Sequence, residues 1–549
     1  MPLPRPLSLT MHQDQSRRNL ITYATGISLA LILLTTTMSF TRPHPKNLAQ
    51  PQLHHSSHTS TTISTCQATL YPSLCQSSLS SASQKTLKKP KEAFALSVRF
   101  SMDQARSLRD NAADLTRCSA VDDCLELIDI TLEQLTDVLN HDKASDPHSV
   151  DTWLSAAMTN QATCMDSLQE GARSKDLDWM SSDVHKLSQC ISNSLALHQT
   201  VKKFEKHKKV SGGSRIPGWM TIRDRNLLEA SADRINADAV VAKDGSGAYG
   251  AYRSIGDALM SVPRGGGGGR TVIYVKAGVY EENVNITTEQ KNVMLMGDGK
   301  GKTVIVGRRS VAAGWTTYRS ATVAAMGSGF IAKGLTIINN SGSQAQQAVA
   351  LRVGADLSVI YQCSIEGYQD TLYAHSNRQF YRDNDIYGTV DFIFGNAAAV
   401  LQKCFIHPMK RSDAQHITIT AQGRRDPHQN TGLSFHQCSI VASSNVCRGQ
   451  TYLGRPWHKY SRTVYMESYL DASISPEGWL PWAGSFGLST LYYGEYGNRG
   501  AGSDISGRVK WPGVHSSLNY LEASSFTVGQ FISGDAWLPG TGVQYDSGL

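Results

Sequence analysis

Two aspartates, Asp370 and Asp391, stand 21 residues apart in matching settings. Asp370 follows Cys363-Ser-Ile-Glu-Gly-Tyr-Gln and opens Thr-Leu-Tyr373. Asp391 follows Asn384-Asp-Ile-Tyr-Gly-Thr-Val and opens Phe-Ile-Phe394. Ile365 and Ile386, Gly367 and Gly388, and Leu372 and Ile393 coincide in the same alignment. A further apolar start, Cys404-Phe405-Ile406, begins 20 residues after Asn384, and Cys438-Ser-Ile440 is a longer echo. A period near 20 with one short strand per repeat predicts the coils of a parallel β-helix. Equivalent residues of successive coils then stack about 4.8 Å apart. Two carboxyl groups so stacked cannot ionise independently. One is pushed towards the protonated acid while the other stays an anionic nucleophile or base. On spacing alone the pair fits equally well an Asn/Asp ladder that closes the turns of a solenoid.

The surrounding residues add chemistry. Gln369 precedes the first aspartate, and Gln347 opens Gln347-Ala-Val-Ala-Leu-Arg352; amide N–H groups can stabilise an oxyanion. Leu453-Gly-Arg455-Pro-Trp457 puts a guanidinium two residues from an indole. Arginine pairs with carboxylates and tryptophan covers apolar faces such as those of sugars. Each piece alone is more often structural; together they read as a carbohydrate-acting site. A serine-esterase elbow is absent, because no serine has glycine at both −2 and +2. Gly297-Asp-Gly-Lys-Gly-Lys-Thr303 resembles a phosphate-binding loop but has Met296 where the first glycine is required, so it reads as a turn between strands.

These residues need two different frames. Of 46 glycines only Gly26 and Gly171 precede Gly212. Residues 91–146 contain neither glycine nor proline, and Leu125, Ile128, Leu132, Leu135, Val138 and Leu139 recur at helical spacing. Trp153, Ala157, Cys164 and Leu168 form a second stripe that Gln161 interrupts. Residues 66–205 therefore read as an antiparallel helical bundle with packing and binding roles. Residues 206–235 read as a basic linker, with Ser211-Gly212-Gly213-Ser214 inside it and Arg225 as a place where a processing protease can cut, although composition alone favours a plain solvated linker. From 236 to 549 short β-branched runs such as Thr271–Val275, Val293–Met296 and Ile417–Thr420 alternate with glycine and asparagine.

The 549 residues carry a net charge of +7, spread as +4 over residues 230–549 and +3 over the rest. No block has the basic field that nucleic acid requires, whereas a mildly basic surface suits a polyanion such as an acidic polysaccharide. From Asn19 to Thr41 there is no charged residue, Arg17 and Arg18 stand just before, and Ile27–Leu34 is an apolar centre. Residues 1–41 thus read as a cleaved signal peptide or a signal-anchor, the only membrane contact expected, and 42–65 as a flexible spacer. Ten cysteines in an exported chain make disulfides possible, and no C-x-x-C pair points to a zinc or redox site. Asn285-Ile-Thr287 and Asn339-Asn-Ser341 fit the glycosylation triplet.

Gly367-Tyr-Gln-Asp-Thr-Leu-Tyr373, Asp391-Phe-Ile-Phe-Gly395 and Leu453-Gly-Arg-Pro-Trp457, in that order, resemble the motifs of plant pectin methylesterases. The early cysteines resemble those of the inhibitor-like module that precedes such enzymes. The resemblance spans roughly residues 66–205 and 236–549. It implies an all-β right-handed parallel β-helix preceded by an all-α four-helix bundle, and an esterase that removes methyl groups from the galacturonate units of pectin. It makes Asp391 the nucleophile and Asp370 the general acid and base, with Gln347 and Gln369 stabilising the oxyanion and Arg455 orienting Asp391. Thr317, Gln347, Arg455, Trp457, Tyr373 and Phe394 would touch the sugars. It further implies disulfides Cys66–Cys75 and Cys124–Cys164, no metal, no cofactor, and a role in the extracellular cell wall. The chain's own helical module would be a partner of the catalytic body. Arg225-Asn226 replaces the usual basic dipeptide ahead of Leu-Leu, and Asn384 replaces a common cysteine partner of Cys404. A pectin lyase or polygalacturonase would share the β-helix with other acidic clusters, and a degenerate wall-binding protein would lack the intact aspartates.

Overall fold

The computed structural model describes residues 64–549 apart from 81–82, 114, 116–117, 142–147, 172–176, 207–236, 246–250, 265–268 and 411–415. The signal segment, nearly all of the spacer, and the linker with Arg225 therefore lie outside the described residues. No described helix is long and apolar enough to cross a membrane.

In the C-terminal body the 20-residue period becomes geometry. Its strands form three all-parallel sheets of 11, 7 and 8 strands, and neighbours within a sheet come from successive coils. The sequence repeat is also the structural register: Leu372 pairs with Ile393, and Ser364-Ile365-Glu366 with Asp385-Ile386-Tyr387. The seven-stranded sheet matters most here. It comprises β1 (Val284–Ile286), β2 (Val323–Ala325), β3 (Leu351–Val353), β4 (Leu372–Ala374), β5 (Ile393–Gly395), β6 (Ile417–Gln422) and β7 (Thr451–Pro456). Inward-facing Val, Ile, Leu and Ala of all three sheets fill one continuous core. The coils turn through left-handed residues at recurring places: Gln362, Asp383, Lys403, Gln437 and Glu467 all have φ between +50° and +56°. The repeated glycine also has a steric reason. A Cβ on Gly388 would come 2.1 Å from the Phe392 side chain, and one on Gly367 2.9 Å from Thr371.

The N-terminal module consists of α1 (Pro90–Ala112), α2 (Ser119–Asn140), α3 (Ser149–Glu170) and α4 (Asp178–Lys206), preceded by a short helix over Pro72–Leu79. Pro90 begins α1, where its missing N–H costs nothing. The α2 stripe buries Cys124, Leu127, Ile128, Leu135 and Val138. Leu125 and Leu132, expected on that stripe, are only partly buried at its margin. Gln161 does not break the α3 face open. It is buried and donates to Thr131 Oγ1 at 2.8 Å, a polar pin between two helices. Disulfides join Cys66 to Cys75 and Cys124 to Cys164, while Cys118 and Cys190 are free. The glycosylation triplet at Asn339 fails on structure: its amide is buried and donates to the carbonyls of Arg309, Ser320 and Val349. Asn285, on β1, is exposed.

Candidate active site

Register across the seven-stranded sheet aligns Ala324, Arg352, Tyr373, Phe394, Ala421 and Arg455 in one row, one residue per coil. Leu372 and Ile393, beside this row, belong to the inner core, so alternation turns the row outward. Its members Tyr373, Phe394, Ala421 and Arg455 floor a cavity of about 390 Å³ whose walls include Gln347, Gln369, Asp370, Asp391, Trp457 and Trp482. Tyr373 and Phe394 stack with ring centroids 4.2 Å apart, and Trp457 meets Phe394 edge-on at 5.9 Å. They make an apolar strip of the kind that binds sugar faces.

Asp370 and Asp391 each stand two residues ahead of a strand, β4 and β5, so the register of those strands also aligns the two aspartates. Both adopt left-handed backbone conformations, φ +62° and +51°. Asp tolerates that region better than most residues, and such strain collects at functional sites. Arg455 grips the Asp391 carboxylate as a fork, Nε to Oδ1 at 2.8 Å and Nη2 to Oδ2 at 2.6 Å. Thr418, on β6, donates its hydroxyl to Oδ1 at 2.7 Å and accepts the Asp391 N–H at 2.9 Å. Behind the fork, the Arg455 guanidinium lies 4.4 Å from the centre of the Trp482 indole. Burial works against the charge on Arg455, yet Asp391 and Asp370 outweigh it and hold the group protonated. Asp370 has the opposite environment. Burial first, then the like charges of Asp391 and Glu170, push its carboxyl well above the usual range, with Arg455 opposing. The result is one carboxyl group fixed by a guanidinium beside another that holds a proton more tightly than usual.

The helical module lies across this cavity. Thr163, Asp166, Ser167, Gln169 and Glu170 line it from α3. A polar stripe at helical spacing does the docking. Thr152 accepts from Asn430 at 2.9 Å, Thr159 from Asn396 at 2.9 Å, and Thr163 meets His375 at 2.9 Å. Both oxygens of Asp166 accept from the single nitrogen Arg425 Nη2, at 2.8 and 3.1 Å, and Glu170 accepts both the N–H and the hydroxyl of Thr317 at 2.7 Å. From α2, Asp123 pairs with Arg319 and accepts from Thr316, while Glu126 accepts from Tyr318 and Arg319.

The family model for pectinesterases matches residues 238–535, more than half of the chain, and the plant invertase/pectin methylesterase inhibitor model matches residues 61–197. The chain belongs to the pectinesterase family. It is 52% identical over 482 residues to "Probable pectinesterase/pectinesterase inhibitor 16" of Arabidopsis thaliana, covering 86% of this chain and 90% of the relative. It is 44% identical to "Pectinesterase 2" of Citrus sinensis, covering 88% of this chain and 94% of that one. Among solved structures it resembles the pectin methylesterase from carrot, with 49% identity and a TM-score of 0.56, covering 57% of this chain and 99% of that one. That covered share is the share residues 236–549 make up.

As a pectinesterase, the chain brings together every site residue that its sequence singled out: Asp370, Asp391, Gln347, Gln369, Arg455, Thr317, Tyr373, Phe394 and Trp457 all line one cavity. Thr418 and Trp482 escaped sequence reasoning. Thr418 had a signal, since β5–β6 register sets it across from Asp391, but the longer loop between those strands hid that register. Trp482 sits outside any repeat. The α3 stripe Thr152, Thr159, Thr163, Asp166 and Glu170 also escaped sequence reasoning: it keeps helical spacing, but nothing in the spacing names the surface it meets.

Proposed function

We propose that this pectinesterase removes methyl esters from the galacturonate units of pectin through Asp391 and Asp370. Asp391 attacks the ester carbonyl carbon, and the amide N–H groups of Gln347 and Gln369 receive the developing oxyanion. The C–O bond to the methoxy group breaks, and Asp370 gives the leaving oxygen its proton, so methanol departs and an acyl anhydride remains on Asp391. Asp370, now a carboxylate, takes a proton from water; the hydroxide adds to the acyl carbon, and the Asp391–acyl bond breaks. The products are the starting site and a galacturonic acid unit, which gives its proton to solvent and leaves as the carboxylate. Thr317, Tyr373, Phe394, Arg455 and Trp457 hold the sugars. The observation that carries this reading is the contrast between Asp391, forked by Arg455, and Asp370, kept protonated by burial and like charge. Methanol release from esterified pectin by residues 236–549 tests it. Uronic-acid release without methanol would favour a pectin-depolymerising enzyme instead.

We also infer that the docked helical module restrains the enzyme until the linker is cut near Arg225, after export to the cell wall. The carboxylate of Glu170 on Thr317 and the bulk of α3 over Tyr373 support this, because a polymer cannot reach the row while they stay. Equal specific activity of the uncut full chain and of residues 236–549 would overturn the restraint.

A further inference from the structure

Asp391 is held from two sides. Arg455 reaches it from β7, but its guanidinium ends a long, partly exposed side chain that can move and carry its partner along. The second hold is short and belongs to the frame. Thr418 is the second residue of β6, is 1% exposed, and does not line the cavity. Its N–H donates to the Thr389 carbonyl at 3.2 Å, which ties it to the segment leading into Asp391. Its hydroxyl meets Asp391 twice, and the partners fix the direction of both bonds. The Asp391 N–H can only donate, so the hydroxyl oxygen accepts it at 2.9 Å, and the hydroxyl hydrogen goes to Oδ1 at 2.7 Å. Asp370 has no such arrangement: its N–H donates to a backbone group, the Val390 carbonyl, at 3.1 Å. The two oxygens of Asp391 therefore differ. Oδ1 receives two short donors, Thr418 Oγ1 at 2.7 Å and Arg455 Nε at 2.8 Å. Oδ2 receives one, Arg455 Nη2 at 2.6 Å, with a longer contact of 3.2 Å from Nε.

We propose that Thr418 is a positioning residue, which pins Oδ1 of Asp391 to the β-helix frame and leaves Oδ2 as the oxygen that attacks the ester carbon. The inference rests on the reading of Asp391 as the nucleophile of a pectin methylesterase. A lone pair of Oδ2 forms the bond to the acyl carbon, and the carbonyl pair moves onto the ester oxygen. It returns as the bond to the methoxy group breaks and Asp370 supplies the proton. In the acyl-enzyme Oδ2 is the bridging atom and Oδ1 the aspartyl carbonyl, which keeps its bonds from Thr418 and Arg455 Nε. After hydroxide has added, the bond between the acyl carbon and Oδ2 breaks and its electron pair returns to Oδ2. The carboxylate re-forms against donors already in place, so no group has to reorganise around it. One hydroxyl thus serves both half-reactions without touching the substrate.

The test compares wild type with Thr418→Val, which keeps the shape of the side chain and removes the hydroxyl. The full chain is folded first and then cut in the 206–235 linker, so that no variant has to fold without its module. kcat for methanol release should fall about ten- to a hundredfold, the scale of a misaligned attack, while KM stays within about twofold. Thr418→Ser should recover most of the loss, since a serine hydroxyl can make both bonds. A kcat within about threefold of wild type overturns the proposal, as does a Thr418→Ser no better than Thr418→Val; either leaves Thr418 as a packing residue. A raised KM with kcat unchanged also overturns it, because that pattern would put Thr418 at the sugars. Valine leaves the Asp391 N–H unpaired, so melting curves are read alongside. If that variant does not fold, Thr418→Ala, which gives water room to meet the N–H, is judged by the same criteria. An active wild type with an unaffected Thr418→Val removes this proposal alone, whereas a wild type that releases no methanol sinks the esterase reading and the proposal with it.

Discussion

The β-helix body and the helical module bring acidic side chains to one cleft by different means. In the body, strand register sets them: Asp370 and Asp391 face each other because Leu372 pairs with Ile393. In the module, the helical period does it, with Asp166 and Glu170 four residues apart on the exposed edge of α3. Their surroundings differ more than their positions. Each module carboxylate at the interface meets a donor of the body: Asp123 meets Arg319 and Thr316, Glu126 meets Tyr318, Asp166 meets Arg425, and Glu170 meets Thr317. Of the body's aspartate pair only Asp391 is so matched. Asp370 faces two like charges, Asp391 and Glu170. The paired carboxylates hold things in place, and the frustrated one is left with a proton to give.

Breaking the matched member of the pair should have the largest effect. Asp391→Asn should abolish methanol release by residues 236–549 while circular dichroism keeps its β signature. The amide can no longer attack as an anion, and near-normal turnover would mean that the nucleophile lies elsewhere. Asp370→Asn comes next. General acid help is worth about 10²–10⁴-fold, so a loss of that size is expected in kcat. Activity within tenfold of wild type would assign the proton to water.

The module's side of the comparison predicts a pH effect. Burial raises Asp123, Asp166 and Glu170 despite Arg319, Arg425 and Thr317, and it raises Glu133, which faces Thr288 and Lys291. Docking therefore takes up protons. Its contribution is fully present below the ordinary carboxylate pKa of about 4 and is lost as pH rises through the raised values. The activity of the uncut full chain, divided by that of the free body at each pH, should climb from acid towards neutral. Glu170 raises Asp370 in the uncut chain alone, so the ratio carries that shift as well. A flat ratio would show that the hydroxyl and amide contacts of α3, not its carboxylates, govern the grip.

What could be read from sequence followed from the same difference between the two regions. The coil period of the body was visible because identical surroundings repeat every 20 or 21 residues, and that period alone stacked the aspartates. Thr418 was missed where the loop between β5 and β6 lengthens and the period breaks. In the module the apolar stripes were visible, because they answer to the module's own core. The polar stripe of α3 answers to a surface hundreds of residues away, with Thr159 bonded to Asn396 and Asp166 to Arg425, and no local pattern announces such a partner. Asn339 misled for a related reason: the triplet reads as an acceptor, but three carbonyls from separate loops consume its amide.

The smallest expected effect probes the stacking itself. Cys363, Asn384 and Cys404 each stand one residue ahead of paired strand residues, since Ser364 pairs with Asp385 and Asp385 with Phe405, so the three occupy successive coils. Cys363 and Cys404 are free, buried thiols. Strand spacing puts neighbouring Cα atoms about 5 Å apart, inside the range for a disulfide. Asn384→Cys should therefore oxidise with Cys404, closing a loop of about 20 residues that the chain-entropy model values at roughly 3 kcal/mol. That gain is not kept whole. Asn384 Oδ1 accepts the Cys363 N–H at 2.8 Å, and its amide donates to the Ile360 carbonyl at 2.8 Å. Both backbone groups are buried, and leaving one unpaired costs about 1–3 kcal/mol. The two terms nearly cancel, so the melting temperature should move by only a few degrees while the chemistry changes plainly. Thiol titration in denaturant should find one free thiol fewer than the six of the wild type. Peptide mapping then decides between Cys404 and Cys363, the equidistant neighbour on the other side. A link to either preserves the coil stacking that sets Asp370 against Asp391. A variant that stays fully reduced under oxidising conditions would remove that support.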